Sequence, residues 1–221
     1  MYPAVGLRIH RPDGQHPGGP LVPRSRESHL TKQTESKRFS FKRAVLDARE
    51  MDRIIRRMAG QIAERYHPLE EVILVGIRTR GLPLAERLSQ ALERLEDIRL
   101  PIGAVDITFY RDDLSMVAPQ PVVKGTTFPG PIDGKVVLLC DDVLYTGRTV
   151  RAALDELKDF GRPKAVRLAV LIDRGHRELP IQAEVVGKEV PTARRELVEV
   201  GFESIDGEDY VHLHERDGGD A

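Results

Sequence analysis

Apolar residues return every third or fourth position through Met51, Ile54, Ile55, Met58 and Ile62, the repeat of a helix with one buried face. Asp47, with Glu50 three residues on, supplies a capping-box start for that helix. Its other face carries Arg49, Arg53, Arg56 and Arg57. Beyond this helix the period switches repeatedly. Apolar runs predict strands over 71–77, 104–110, 135–140 and 165–172, and helical patterns fall over 82–95 and 148–160. Strands that alternate with helices and are apolar on both faces predict an α/β fold, a mostly parallel sheet flanked by helices. In such sheets ligands bind beyond the carboxyl ends of the strands. Residues 78–79 and 141–142 fall at two such ends.

Three stretches break the pattern. Residues 1–38 hold much of the chain's Pro and Gly, including Pro17, Gly18, Gly19 and Pro20, and predict a disordered N-terminal extension. Between 111 and 133, Pro119, Pro121, Pro129 and Pro131 interrupt any regular element together with Gly125 and Gly130. A stretch of that length inside a compact domain predicts a flexible lid. After Leu179, weaker β-like pieces at 183–186, 197–200 and 210–213 predict a small β-containing hood above the sheet, centred on about 173–200. The expected domain spans 39–216, followed by a frayed C-terminus at 217–221.

Composition narrows the functional classes. The 221 residues, 40% hydrophobic and 31% charged, suit one soluble α/β domain with a tail. A net charge of −1 excludes a globally basic nucleic-acid binder, so any RNA contact must come from a local patch. Cys140 is the chain's single cysteine and cannot form an internal disulfide, which fits a reducing, cytoplasmic setting. No apolar run reaches the ~18 residues of a membrane span, and no signal-peptide core opens the chain.

The chemistry concentrates in residues 136–149. A buried strand runs into Asp141 and Asp142 and then into a turn of Thr146, Gly147, Arg148 and Thr149 that opens a helix. Paired carboxylates suit sugar hydroxyls or hydrated Mg²⁺. The unpaired amides of a first helical turn attract phosphate, aided by the helix dipole. Together these features describe a ribose-phosphate site.

This run resembles the signature of the type I phosphoribosyltransferases, which bind 5-phosphoribosyl-1-pyrophosphate (PRPP). In the form Asp-Asp-Val-Leu-Tyr-Thr-Gly-Arg-Thr-Val-Arg, residues 141–151, it is similar to one branch, the bifunctional pyrimidine operon regulator/uracil phosphoribosyltransferase family. Three more blocks carry the same resemblance in the same order: Val-Gly-Ile-Arg-Thr-Arg-Gly at 75–81, Asp-Ile-Thr-Phe-Tyr-Arg-Asp-Asp-Leu at 106–114, and Ala-Val-Leu-Ile-Asp-Arg-Gly-His-Arg-Glu-Leu-Pro at 169–180.

The resemblance implies an enzyme making UMP and pyrophosphate from uracil and PRPP. Asp141 and Asp142 are then expected to hold the ribose hydroxyls and Mg²⁺-bound PRPP, and Thr146 to Thr149 the 5-phosphate. Arg78, Thr79, Arg80 and Gly81 form the expected pyrophosphate loop, which in type I enzymes often contains a cis peptide. Arg111, at the start of the lid, is expected to neutralise pyrophosphate charge during catalysis, and Asp173, Arg174 and Gly175 to line the base pocket. The resemblance also implies binding of pyrimidine-operon leader mRNA when UMP or UTP occupies the site, and a homodimer or larger assembly. Arg49, Arg53, Arg56 and Arg57 are the expected RNA face. On this helix RNA-binding members place Thr-Arg and, three residues on, histidine, whereas this chain has Arg56-Arg57 and then Gly60.

Three alternatives stand beside this reading: a phosphoribosyltransferase for uracil or another base without RNA binding, a nucleotide-sensing RNA regulator with negligible catalysis, and a phosphoacceptor receiver domain. The last also gathers carboxylates at strand ends, but Thr-Gly-Arg-Thr so soon after the acidic pair speaks against it.

Overall fold

The computed structural model describes residues 39–107 and 125–217. The expected extension over 1–38, Arg111 with residues 111–124 of the expected lid, and residues 218–221 lie outside the described residues.

The described chain forms eight strands: β1 Phe39–Leu46, β2 Val72–Ile77, β3 Ile102–Val105, β4 Val136–Leu144, β5 Ala165–Asp173, β6 Val185–Glu189, β7 Glu196–Gly201 and β8 Tyr210–Arg216. Its helices are α1 Ala48–Arg65, α2 Gly81–Glu96, α3 Arg148–Leu157 and the single turn α4 Glu203–Asp206. Five strands make a parallel sheet in the order β3-β2-β4-β5-β6, and β1, β8 and β7 make a separate antiparallel sheet in that order.

Alternation along the central strands divides the core in two. Leu74, Leu138, Cys140, Ala169 and Leu171 face α1, α2 and the inner side of the small sheet. Ile73, Val75, Val137, Leu139 and Val170 face the other way, onto Val150, Ala153 and Leu157 of α3. Both faces of the parallel sheet are thereby dry, the condition that lets its strands be apolar throughout. Burial also pushes the Cys140 thiol well above its ordinary value, leaving a core thiol.

The capping box of α1 forms as expected: the Glu50 amide donates to Asp47 Oδ1 (2.7 Å) and the Asp47 amide to Glu50 Oε2 (3.0 Å). Met51, Ile55, Met58, Ala59, Ile62 and Ala63 are its buried stripe.

Several elements depart from the sequence expectation. The β piece expected at 183–186 in the hood is β6, an edge of the parallel sheet where it pairs with β5, and the strand expected over 104–110 is β3, which ends at Val105. β4 does not end at Cys140 but continues through the acidic pair to Leu144, because Asp141 and Val143 remain registered against Val170 and Ile172 of β5. β1 was not anticipated, since five of its eight residues are exposed and only Val45 and Leu46 are buried. The segment expected to be lid as far as 133 is tied down from Thr126 on. The Ala104 and Thr127 amides exchange hydrogen bonds of 2.8 Å, Thr126 Oγ1 accepts from the Asp106 amide (3.1 Å), and Ile132 is buried.

Candidate functional site

Two glycines bring the first half of the site together. A side chain on Gly76 of β2 would reach 2.4 Å from Leu82 Cα, and one on Gly81 would reach 2.1 Å from the Cys140 carbonyl oxygen and 3.3 Å from Asp141 Cα. Their lack of a side chain lets the N-terminus of α2 press against β2 and β4. The turn of Arg78, Thr79, Arg80 and Gly81 therefore lies directly beside the acidic pair. Its Arg78–Thr79 peptide is cis, the conformation that the family resemblance associates with this loop.

Asp141 is buried at 5% exposure and its Oδ1 accepts the Asp142 amide at 3.0 Å. Asp142, one residue nearer the strand end, is half-buried. Burial pushes its carboxyl above the ordinary 3.8, against the opposing pull of Asp141 and of the Arg80 guanidinium. A carboxylate with that burial gains from a cation or hydroxyl donors brought to it. Arg80 also pairs with Asp206 of α4 (2.7 Å), and Arg78 Nε donates to the Gly125 carbonyl (2.8 Å).

The second half is the turn from β4 into α3. Gly147 caps the helix at φ 92°, a conformation that glycine adopts without a side-chain penalty. The first intrahelical bond runs from the Arg151 amide to Gly147 O (3.0 Å), so the amides of Arg148, Thr149 and Val150 have no acceptor within the helix. Thr146 Oγ1 lies 3.4 Å from the Arg148 amide, and the exposed Arg148 guanidinium pairs with Glu178 (2.9 Å).

The loop after β5 braces that turn. Glu178 and Leu179 amides donate to Thr146 O at 3.0 and 3.2 Å. Arg177 donates to the carbonyls of Tyr145 (2.7 Å), Gly175 (3.0 Å) and Ile181 (3.1 Å) and to the Asp173 carboxylate. The sequence places Arg177 in the expected base-pocket loop but does not show its bracing role, because four of its acceptors are main-chain oxygens that leave no mark in the side-chain pattern. Nor did it find Asp206, which lies 126 residues from the Arg80 it holds.

A cleft of about 780 Å³ opens beside this loop, lined by Asp173 to Arg177, by Leu179 to Gln182 and, across from them, by Glu189, Pro191 and Thr192. Of the residues expected to bind a base, Asp173 has both carboxylate oxygens engaged, by the Gly175 amide (2.9 Å) and by Arg177. Arg174 is buried, with its guanidinium 4.1 Å above the Tyr145 ring and bonded to Thr192 Oγ1 (3.0 Å) and the Glu196 carbonyl (2.6 Å). His176 Nε2 meets the Thr192 carbonyl at 2.6 Å. The side chains of Asp173 and Arg174 thus hold the cleft's wall, which leaves main-chain groups as its readiest contacts for a ligand.

The four arginines of α1 are all exposed, but they are not equivalent. Arg56 pairs with Asp52 one turn back (2.6 Å), and Arg57 donates to the Gly187 carbonyl of β6. Arg53, Arg57 and Lys188 share a shallow groove with Glu50.

The phosphoribosyl transferase domain model matches residues 43–203. Among relatives, the bifunctional protein PyrR of a Roseiflexus species is 57% identical over 163 residues, covering 74% of this chain and 89% of its own. That of Thermus thermophilus is 52% identical over 178 residues, covering 80% and 98%. Among solved structures, the hypoxanthine phosphoribosyltransferase of Trypanosoma cruzi superposes with a TM-score of 0.60 at 16% identity, covering 80% of this chain and 98% of that one. A hypoxanthine phosphoribosyltransferase from Staphylococcus aureus gives 0.58 at 19%, covering 81% and 94%. At those identities the two structures speak for the fold.

Proposed function

The chain belongs to the phosphoribosyl transferase family and, within it, to the bifunctional PyrR proteins, and from that premise we propose that it transfers the phosphoribosyl group of PRPP to uracil and regulates pyrimidine genes by binding their leader mRNA. The observation that carries the catalytic half is the glycine-permitted contact of residues 78–81 with the end of β4. One short stretch of space then has a cis-peptide loop on one side, two carboxylates at its floor and a helix N-terminus at its far end.

In the transfer, the bond from the anomeric carbon to pyrophosphate breaks and a bond to a uracil nitrogen forms, with the nitrogen's proton lost to solvent or a base. The transition state carries positive charge on the ribose. Groups fixed in advance around such charge lower the barrier most, because they need not reorganise as it develops. Asp141 and Asp142 would hold the ribose hydroxyls and set negative charge beneath the ring. The amides of Arg148 to Val150 and the hydroxyls of Thr146 and Thr149 would hold the 5-phosphate. Thr79, Arg80 and the neighbouring amides would receive the pyrophosphate, with Arg78 beside them.

The donor set fits Mg²⁺, a hard ion that takes carboxylate and phosphate oxygens while keeping several waters, and Asp141 and Asp142 supply two adjacent carboxylates at the end of β4. When bound, the ion would neutralise pyrophosphate charge. Arg111, outside the described residues, is assigned the same electrostatic task from its sequence block. Uracil would sit in the cleft after β5, read largely by the main chain around Gly175. No helix among the described residues is long and apolar enough to cross a membrane, and a cytoplasmic, homo-oligomeric protein suits the proposed substrates.

The regulatory half rests on the relatives' shared bifunctional name and on the exposed arginines of α1, of which Arg49 and Arg53 are joined by Arg56 and Arg57. UMP or UTP in the active site would set the affinity for RNA. Conversion of PRPP and uracil to UMP with Mg²⁺ present, alongside a panel of other bases, tests the catalytic half. Turnover should fall at least a thousandfold in Asp142→Asn with folding retained, and turnover that survives this change would remove the assigned chemistry. Leader-RNA binding measured with and without UMP at stated salt tests the other half, and binding that is unchanged in Arg56→Glu/Arg57→Glu would remove the α1 surface.

A further inference from the structure

The outer side of the small antiparallel sheet carries a group of residues that the phosphoribosyl site does not use. In β8, Val211 and Leu213 point into the core, so His212 and His214 face outward. In β7, Val198 and Val200 are buried, so Glu199 faces outward. The register sets Glu199 opposite His212, with His214 two residues farther along the same face. Cross-strand neighbours on one face come close enough to share a ligand. Here one ligand atom from each of Glu199, His212 and His214 lies within 4.8 Å of the others.

His214 Nε2 lies 2.8 Å from Glu199 Oε2, an ion-pair distance, yet this buried nitrogen makes no hydrogen bond. Two ligand atoms so close, with the nitrogen's hydrogen-bonding capacity unused, can share a third partner. Tyr210 supplies the outer support. Its hydroxyl lies 3.3 Å from the other carboxylate oxygen, Glu199 Oε1, and its ring stacks on His212 at 4.3 Å. Phe41 closes the other side, edge-on to His212 and His214 at 5.1 and 6.0 Å. A carboxylate steadied from behind, and imidazoles held by aromatic walls, are the surroundings that orient metal ligands.

We propose that Glu199, His212 and His214 bind a divalent transition-metal ion of the zinc class, with a fourth position open to water. Two imidazoles and one carboxylate are a recurrent zinc donor set. Donor atoms about 2.0–2.2 Å from a tetrahedral ion stand roughly 3.4 Å apart, so small rotations of these side chains, whose ligand atoms already lie within 4.8 Å of one another, form the site. Nitrogen donors select against Mg²⁺, so the millimolar Mg²⁺ that the transferase would need does not compete. The ion ties β7 to β8. The link between those strands is α4, whose Asp206 holds Arg80, so the metal steadies the outer anchor of the pyrophosphate loop without touching substrate.

The test uses the full chain without an affinity tag, stripped with a chelator and titrated with Co²⁺ and then Zn²⁺. Visible absorption should show one tightly coordinated Co²⁺ per chain, displaced by one Zn²⁺. A hundredfold excess of Zn²⁺ over its Kd should raise Tm by about 5–10 °C. Affinity should fall at least a hundredfold in His212→Ala/His214→Ala and at least tenfold in Glu199→Gln, and should not change in His10→Ala/His16→Ala/His29→Ala, which removes the N-terminal histidines. Absence of binding, or equal binding in the double β8 variant, would overturn the site and leave His214 as an ion-pair partner of Glu199. Should the double variant fail to fold, the anomalous signal of a Zn²⁺-soaked wild-type crystal decides: a peak bonded to His212 and His214 supports the site, and its absence there overturns it.

Discussion

Gly147 is the residue on which the turn from β4 into α3 pivots, the turn proposed to hold the 5-phosphate. Its φ of 92° costs an L-residue about 1–2 kcal/mol, and a Cβ there would press to 3.3–3.4 Å from Ile181 and Leu179. Gly147→Ala should therefore leave a folded protein whose KM for PRPP rises tenfold or more, because the first-turn amides tilt away from the phosphate; steady-state kinetics checks this. The residue's place was legible in advance, since the glycine of Thr-Gly-Arg-Thr stands just where the helical pattern begins. Asp209 was not. It holds Arg87 through two hydrogen bonds of 2.6 Å across 122 residues of sequence. Burial would raise its carboxyl, but the Arg87 pair and the Glu203 amide hold it below the ordinary 3.8. A depressed folded-state value means that the pair stabilises the protein fully above pH 3.8 and that this contribution is lost as pH falls through the lowered value. Asp209→Asn should cost about 2 kcal/mol at neutral pH, because it leaves a mostly buried guanidinium poorly paired. In denaturant titrations the gap to wild type should shrink as the pH falls below 3.8.

Elements announced themselves in the sequence to the degree that local patterning decides them. α1 was readable from both its stripe and its cap, and within it a Cβ added at Gly60 would meet nothing within 4 Å. Gly60→Ala should accordingly raise stability by about 0.5–1 kcal/mol, seen as a higher denaturation midpoint with an unchanged m-value. β1 was unreadable, because most of its side chains face water and pairing with β8, some 175 residues away, makes it a strand. The extension of β4 through two aspartates was equally hidden, since neither favours strands and only the neighbouring β5 keeps them extended. The loop after β5 depends on Arg177 in the same nonlocal way. Arg177→Ala should destabilise the protein by about 2–4 kcal/mol and weaken PRPP binding, as denaturant titration and steady-state kinetics would show. Arg177→Lys should rescue little of either, because a single ammonium cannot serve carbonyls on two loops and a carboxylate together.

At the scale of the molecule, the parallel sheet was legible because both of its faces are covered and its strands are apolar throughout, whereas the small sheet was only partly so. It is assembled from β1 at one end of the described residues and from β7 and β8 at the other, and its outer face is polar enough to resemble loop. The division of labour follows from this layout. The parallel sheet presents the acidic pair, the cis-peptide loop and the α3 N-terminus at strand ends, and the small sheet fixes Arg80 from outside through Asp206. On the proposed reading, base choice would rest with a cleft whose Asp173, Arg174 and Arg177 side chains are committed to its own walls, so those identities say little about uracil. The most direct test is a crystal structure with UMP bound. The account predicts the phosphate within hydrogen-bonding distance of the Arg148 and Thr149 amides and the ribose hydroxyls on Asp141 and Asp142. A nucleotide bound with its phosphate away from the start of α3, or with its ribose remote from those two carboxylates, would contradict it.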